Sequence, residues 1–152
     1  MRLVQHRRAE TVVEFGTSFG VSTLWLAAAV HDNGGGRVLT TELEPGKAAR
    51  SRDTFARAGV GSLVELREGD ALETLARDLP STIDLVVLDG AKPLYVPVLE
   101  LLRKALRPGA VVVADNVDDA PAFAAFLGER KNGFELAPVR DDLVVAAFLG
   151  AR

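Results

Sequence analysis

The sequence predicts a doubly wound α/β fold. The expected sheet has seven strands, mostly parallel, with one antiparallel strand near the far edge and helices on both faces. Three observations predict it. Apolar strand-like runs alternate with helix-like segments along almost the whole chain. Ile83 to Leu88 is a near-continuous apolar run, the pattern of a parallel strand buried on both faces. The last two strand-like segments are separated by only a short turn, which a parallel pair cannot have.

Met1 to Ala9 carries Arg2, His6, Arg7 and Arg8 beside only Leu3 and Val4, and reads as a short helix or frayed lead-in with His6 solvated. The first strand starts by Val12 and ends in Glu14-Phe15. A turn follows, Gly16-Thr17-Ser18-Phe19-Gly20, and then an apolar helix over Val21 to Val30. That helix is expected to be buried on most sides, with Trp25 in the core. His31 to Gly36 ends it; the three glycines precede a strand, so they read as a link, not a phosphate cradle.

Arg37 to Thr41 is the second strand, closed by Glu42. Pro45 stands where a first helical residue belongs and Gly59 where a C-cap belongs, so Gly46 to Ala58 reads as an exposed helix. Leu63 to Arg67 is the third strand. Gly69-Asp70-Ala71 then opens a helix, with Asp70 as N-cap and Glu73 completing a capping box. Ile83 to Leu88 is the fourth strand, ending in Asp89. A helix over Val96 to Leu106 is stopped by Pro108-Gly109, and the fifth strand, Ala110 to Ala114, ends in Asp115-Asn116. Pro121 starts a helix to about Glu129. Gly133 to Val139 and Leu143 to Ala147 are two closing strands around a turn at Arg140-Asp141-Asp142.

With 152 residues, 48% of them hydrophobic, the chain suits one domain spanning 1–152. A net charge of −3 and no basic stripe argue against a nucleic-acid partner. There is no cysteine, hence no disulfide, thiolate nucleophile or zinc–thiolate site. No apolar run reaches membrane-span length and no signal-peptide order opens the chain, so a cytoplasmic location is the expectation.

Chemistry is expected outside the carboxyl ends of the strands, where strand order reverses. Glu14, Glu42, Asp89 and Asp115 all fall at strand ends. The Gly16-x-x-x-Gly20 spacing lacks the middle glycine of a dinucleotide fingerprint, because Ser18 stands there. That favours an adenosine-like ligand without a diphosphate, and S-adenosylmethionine is the candidate. Glu42, 26 residues after Gly16, is placed to accept both hydroxyls of a ribose. Asp70 is explained equally by capping and by ligand contact. Asp89, Asp115 and Asn116 offer hard oxygen donors for a divalent cation such as Mg²⁺. Alone, that trio reads equally as caps and turn formers. Lys92 reads as a solvated loop lysine except for its company, which makes it a candidate general base.

The segments Val13 to Thr23, Glu42, Gly69-Asp70-Ala71, Leu88-Asp89-Gly90-Ala91-Lys92-Pro93-Leu94-Tyr95 and Ala114-Asp115-Asn116-Val117 together resemble the cation-dependent class I O-methyltransferases, which include the catechol and caffeoyl-CoA enzymes. The resemblance covers nearly the whole chain and implies a Rossmann-like class I methyltransferase fold. It implies that Glu14, Gly16, Thr17, Ser22, Glu42, Leu43, Gly69, Asp70, Ala71 and Asp89 bind S-adenosylmethionine. It further implies that Asp89, Asp115 and Asn116 hold a divalent metal, most simply Mg²⁺, and that Lys92, with Asp89, is catalytic as the base. The implied partner is a small hydroxylated aromatic acceptor. Relatives of this kind carry helices before the first strand, whereas about eleven residues precede it here. The expectation is therefore an unusually open crevice, with a second subunit, and so a homodimer, as one candidate cover. Two other readings stand beside the enzyme: a cofactor-binding module with little turnover, and a small nicotinamide-dependent oxidoreductase, against which Ser18 argues.

Overall fold

A computed structural model describes residues 2–137 and 142–150. Its strands are β1 (Thr11–Phe15), β2 (Arg37–Glu42), β3 (Val64–Glu68), β4 (Ile83–Leu88), β5 (Leu106–Ala114), β6 (Phe134–Leu136) and β7 (Val144–Phe148). They form one sheet in the order β3-β2-β1-β4-β5-β7-β6. Strands β1 to β5 pair in parallel, and β7 is antiparallel to both neighbours. The antiparallel strand thus sits one place in from the edge, which β6 occupies. Residues Pro138 and Val139 of the expected sixth strand, and Arg140-Asp141 of the turn, lie outside the described residues.

The helices are α1 (Arg2–Arg7), α2 (Val21–Asp32), α3 (Pro45–Arg57), α4 (Ala71–Thr74), α5 (Tyr95–Leu102) and α6 (Pro121–Gly128). Strand alternation divides the core in two. Val13, Phe15, Val86, Leu88, Val112 and Ala114 face α4, α5 and α6, where Leu75, Tyr95, Val98 and Phe123 complete one cluster. Val12, Val38, Leu85 and Val111 face α1 and α2, where Val4, Leu26, Ala27 and Val30 complete the other.

Three expectations are corrected. Trp25 is 59% exposed, not in the core. Leu26, Ala27, Ala29 and Val30 fill the sheet-facing side of α2, and Trp25 falls off that side. Since apolar residues ring this helix, the sequence pattern did not say which face turns inward. Strand β5 begins at Leu106 and runs through Pro108-Gly109 instead of starting after it. The pairing register with β4 shifts between Ile83 and Leu85, and an irregularity of that kind accommodates a proline within a strand. The preceding helix accordingly ends at Leu102, with one 3₁₀ turn over Arg103–Ala105. The segment after Asp70 is a single helical turn.

Asp84 ties the amino ends of the central strands together. Its Oδ2 accepts the backbone N–H groups of Glu10 (2.9 Å) and Thr11 (2.8 Å), and its Oδ1 accepts from Arg107 Nε. Burial favours the protonated acid, but the Arg107 guanidinium and the two backbone donors outweigh it and hold the carboxyl below its ordinary value of 3.8. A depressed folded-state value adds stability above the unfolded value and loses it on acidification. Asp84→Asn is therefore expected to lower unfolding free energy by roughly 2 kcal/mol at neutral pH. In denaturant titrations that deficit should shrink as the pH falls through and below 3.8. A deficit independent of pH would count against the ionised anchor.

Candidate active site

The order of strands reverses between β1 and β4, and a cavity of about 360 Å³ opens at their carboxyl ends. Phe15 and Gly16 line it from β1, Thr41, Glu42 and Leu43 from β2. Gly69-Asp70-Ala71 line it after β3, and Asp89-Gly90-Ala91 after β4. The turn can sit this close to β4 because residue 16 is glycine. A Cβ there would lie 2.6 Å from Asp89 O, and the backbone has φ +105°.

Glu42 closes β2 and is held by main chain alone. Ser18 N–H donates to Oε2 at 2.7 Å and Glu44 N–H donates to Oε1 at 2.9 Å. Each oxygen keeps a further lone pair for a ligand hydroxyl. The Ser18 bond also braces that residue's left-handed backbone, φ 49°. Leu43 beside it is 71% exposed, so the crevice is open on this side. Asp70 is the expected N-cap, its Oδ1 accepting Leu72 N–H at 2.8 Å, and it also lines the cavity. The hydrogen bonds from Glu73 run through its backbone N–H, to Asp70 O at 3.1 Å.

Leu88 pairs with Ala114, so Asp89 and Asp115 leave β4 and β5 side by side. Burial raises the Asp89 carboxyl above the usual carboxylate range, the Asp115 charge raises it further, and Lys92 opposes both. Lys92 Nζ is 4.0 Å from Asp89 Oδ1 and donates to Tyr95 Oη at 3.0 Å. Tyr95 in turn donates to Asp115 O at 2.9 Å. Burial, with Asp89 and Asp115 adding to it, pushes the Tyr95 phenol far above its ordinary value, so it stays protonated. Asn116 takes a left-handed conformation, φ 51°, and its Nδ2 donates to Asp142 Oδ2 at 3.0 Å, leaving Oδ1 as the amide atom available to a cation.

Family comparison adds to this geometry. A family model described as "Methyltransferase domain" matches residues 13–117. The chain belongs to that family. It is 36% identical over 118 residues to the catechol O-methyltransferase of Niastella koreensis, covering 76% of this chain and 52% of the relative. Cofactor-bound Rv0187 from MTB superposes with a TM-score of 0.90 at 30% identity, over 98% of this chain and 77% of that one. The O-methyltransferase from Bacillus cereus in complex with SAH superposes with a TM-score of 0.88 at 26% identity, over 97% and 77%. The chain spans about half the length of the curated relatives it matches. Family membership sets aside the nicotinamide reading.

Within this methyltransferase domain, Gly16, Glu42, Leu43, Gly69, Asp70, Ala71 and Asp89 meet at the cavity. Glu14, Thr17 and Ser22 do not line it. Glu14 and Thr17 are buried behind the turn, and Ser22 lines a separate apolar groove with Leu3, Trp25 and Val87. Lys92 and Asp115 stand beside Asp89, outside the lining, and Asn116, also outside it, turns its amide nitrogen to Asp142. Phe15, Ser18, Thr41, Lys47, Gly90, Ala91 and Leu94 also line the cavity and were not expected as site residues. Thr41 had a signal, since it immediately precedes Glu42 at a strand end. Leu94 lies within the Leu88 to Tyr95 segment of the resemblance, whereas Lys47 had no signal, because a helix residue reaches the cavity only through the packing. Among the described residues, no three His, Cys, Asp or Glu side chains form a metal cluster. The trio of interest has two carboxylates and an amide. No helix among the described residues is long and apolar enough to cross a membrane.

Proposed function

We propose that the chain transfers the methyl group of S-adenosylmethionine to a hydroxyl of a small, catechol-like aromatic acceptor, with the help of a divalent cation such as Mg²⁺. The observation that carries this reading is that Glu42 and Asp89 line one cavity at the β1–β4 reversal. The names of the relatives, a catechol O-methyltransferase and an enzyme solved with SAH, support it.

S-Adenosylmethionine supplies, when bound, a methyl carbon on a sulfonium. Glu42 accepts the ribose hydroxyls on lone pairs its two backbone donors leave free. Gly16 keeps the turn against Asp89-Gly90, so the ligand can lie across both strand ends. The donor set fits a cation: among the described residues the Asp89 carboxylate feels the Asp115 charge and is opposed by Lys92, and the repulsion between the two carboxylates is the excess charge a divalent ion offsets. When bound, such an ion supplies orientation and acidification of an acceptor hydroxyl. Lys92 is the group placed to take that hydroxyl's proton, because Tyr95 stays protonated and commits its own proton to Asp115 O. As the acceptor oxygen bonds to the methyl carbon, the carbon–sulfur bond breaks and its electron pair stays on sulfur.

Isothermal calorimetry tests the ligand assignment. The wild-type chain is expected to bind S-adenosylmethionine, and Glu42→Ala to bind it at least about tenfold more weakly, since a charge-assisted hydrogen bond is worth about 1.5–3 kcal/mol. No heat of binding with the wild-type protein would overturn the reading. Binding without methyl transfer to any catechol would favour the module with little turnover, for which the open side at Leu43 speaks.

A further inference from the structure

Behind the glycine turn lies a buried polar cluster with more contacts than hydroxyl protons. The register places Glu14 of β1 beside Thr40 of β2. Glu14, Thr17, Thr23 and Thr40 are each at most 1% exposed. Thr17 Oγ1 lies 2.9 Å from Thr41 O. A carbonyl only accepts, so one arrangement points the Thr17 proton there, beside the Thr17 N–H that Thr41 O accepts at 3.0 Å. Thr40 Oγ1 lies 2.6 Å from Thr17 Oγ1, which can then only accept, and the Thr40 proton occupies that contact. Thr23 Oγ1 donates to Glu14 Oε2. The remaining contact, 2.7 Å between Thr40 Oγ1 and Glu14 Oε2, brings together two oxygens with no hydroxyl proton left for it. In that arrangement three hydroxyl protons serve four contacts and the fourth proton comes from the Glu14 carboxyl; with the Thr41 carbonyl left to the Thr17 N–H alone, the three hydroxyls suffice, and the surroundings of Glu14 decide between the two.

Two further observations agree. Glu14 Oε1 is buried with no hydrogen bond of acceptable geometry, although the Ser22 hydroxyl lies close enough to the carboxyl to act on it. A carboxylate oxygen left so would carry unpaired charge in a low-dielectric site, whereas the carbonyl oxygen of a neutral acid costs far less. The groups packed around it also provide no cation: the turn contributes Thr17, α2 Ser22 and Thr23, β2 Thr40 and β4 Val87. Among the described residues, the charge acting there is that of the Asp89 carboxylate. Burial, the largest effect, raises the Glu14 carboxyl above its ordinary value of 4.5, Asp89 adds to the rise, and the hydroxyls of Ser22, Thr23 and Thr40 oppose it.

We propose that Glu14 is a positioning residue that works as a neutral hydrogen-bond donor: its proton completes the chain Thr23–Glu14–Thr40–Thr17–Thr41 and so locks the Gly16–Gly20 turn to α2 and β2. This differs from the cofactor-contact role expected for Glu14. It rests on the proposed ligand only for its affinity readout.

The test compares the wild-type chain with Glu14→Gln and Glu14→Ala. The wild-type minus Glu14→Gln infrared difference spectrum at pH 7 is expected to show the carbonyl stretch of a protonated carboxylic acid. An amide offers the same neutral donor and acceptor, so Glu14→Gln should keep S-adenosylmethionine affinity within about threefold, while Glu14→Ala should weaken it about tenfold. A raised folded-state value means the Glu14 contribution to stability is complete below pH 4.5 and declines as the pH rises toward that folded value. Glu14→Gln should therefore gain thermal stability relative to wild type as pH rises above 4.5. A carboxylate band in place of the acid band, or Glu14→Gln failing as Glu14→Ala does, would overturn the proposal. Should Glu14→Ala not fold, the spectrum and the Glu14→Gln titration still decide. Should the wild-type chain not bind S-adenosylmethionine, the methyl-transfer reading fails while the spectrum still tests the proton.

Discussion

Replacing Asp115 with alanine is expected to cut methyl transfer to a catechol by about three orders of magnitude while leaving S-adenosylmethionine affinity nearly unchanged. The separation follows from position. Asp115 leaves β5 beside Asp89 and lies outside the cavity lining, whereas Gly16, Glu42 and Gly69-Asp70-Ala71 line it. Losing one of two carboxylates removes half of the negative charge that would hold a divalent cation, and cation assistance is worth several kcal/mol, or about 10³ in rate. Asp115 O also accepts from Tyr95, but that bond uses the main chain and survives the substitution. Labelled-methyl transfer measured across a Mg²⁺ titration, with calorimetry alongside, checks both halves. Wild-type activity undiminished by excess chelator would sink the cation assignment, and a parallel collapse of cofactor affinity would place Asp115 in the cofactor site instead.

Substituting alanine at Gly16 should be the most damaging single change in the turn. A Cβ there meets Asp89 O at 2.6 Å, Asp89 C at 2.8 Å and Gly90 N at 2.9 Å. All three are main-chain atoms of a central strand end, so no side chain can swing aside. The left-handed φ of +105° adds conformational strain. Together these are expected to cost about 4 kcal/mol and lower the melting temperature by about 10 °C. Cofactor binding should be lost as well, because the turn can relax only by moving away from β4. Gly34→Ala is the control: its φ is +106°, with nothing within 4 Å, so it isolates the backbone effect alone at about 1 kcal/mol. Equal melting temperatures for the two variants would show that the close approach to Asp89 is not maintained in solution.

Much of the site is legible in the order of residues because it sits at strand ends. A buried parallel strand is a recognisable apolar run, and the residue that follows it points toward the crevice by topology alone. Glu42, Asp70 and Asp89 could be picked out that way, and all three line the cavity. Glu14 shows the limit of the argument. It also lies near a strand end, but it precedes the last residue of β1, and alternation turns it to the opposite face from Phe15. A shift of one residue separates the cavity wall from a buried network. Trp25 shows a second limit. An all-apolar helix has no preferred face in its own sequence, so the partner surface decides which residues go inside.

The alternation of strands and helices, the antiparallel closing strand, the glycine turn and the acidic residues that end the strands are all written in the residue order. These rest on local periodicity and on residue types with narrow backbone preferences. Only the packed chain joins Leu106 to Pro108 to β5, brings Lys47 to the cavity, and gathers Glu14, Thr17, Thr23 and Thr40 into one buried network. The physical reason is the same in each case. Pairing register and the distances between side chains of different strands depend on how distant segments pack, and no local pattern carries that information.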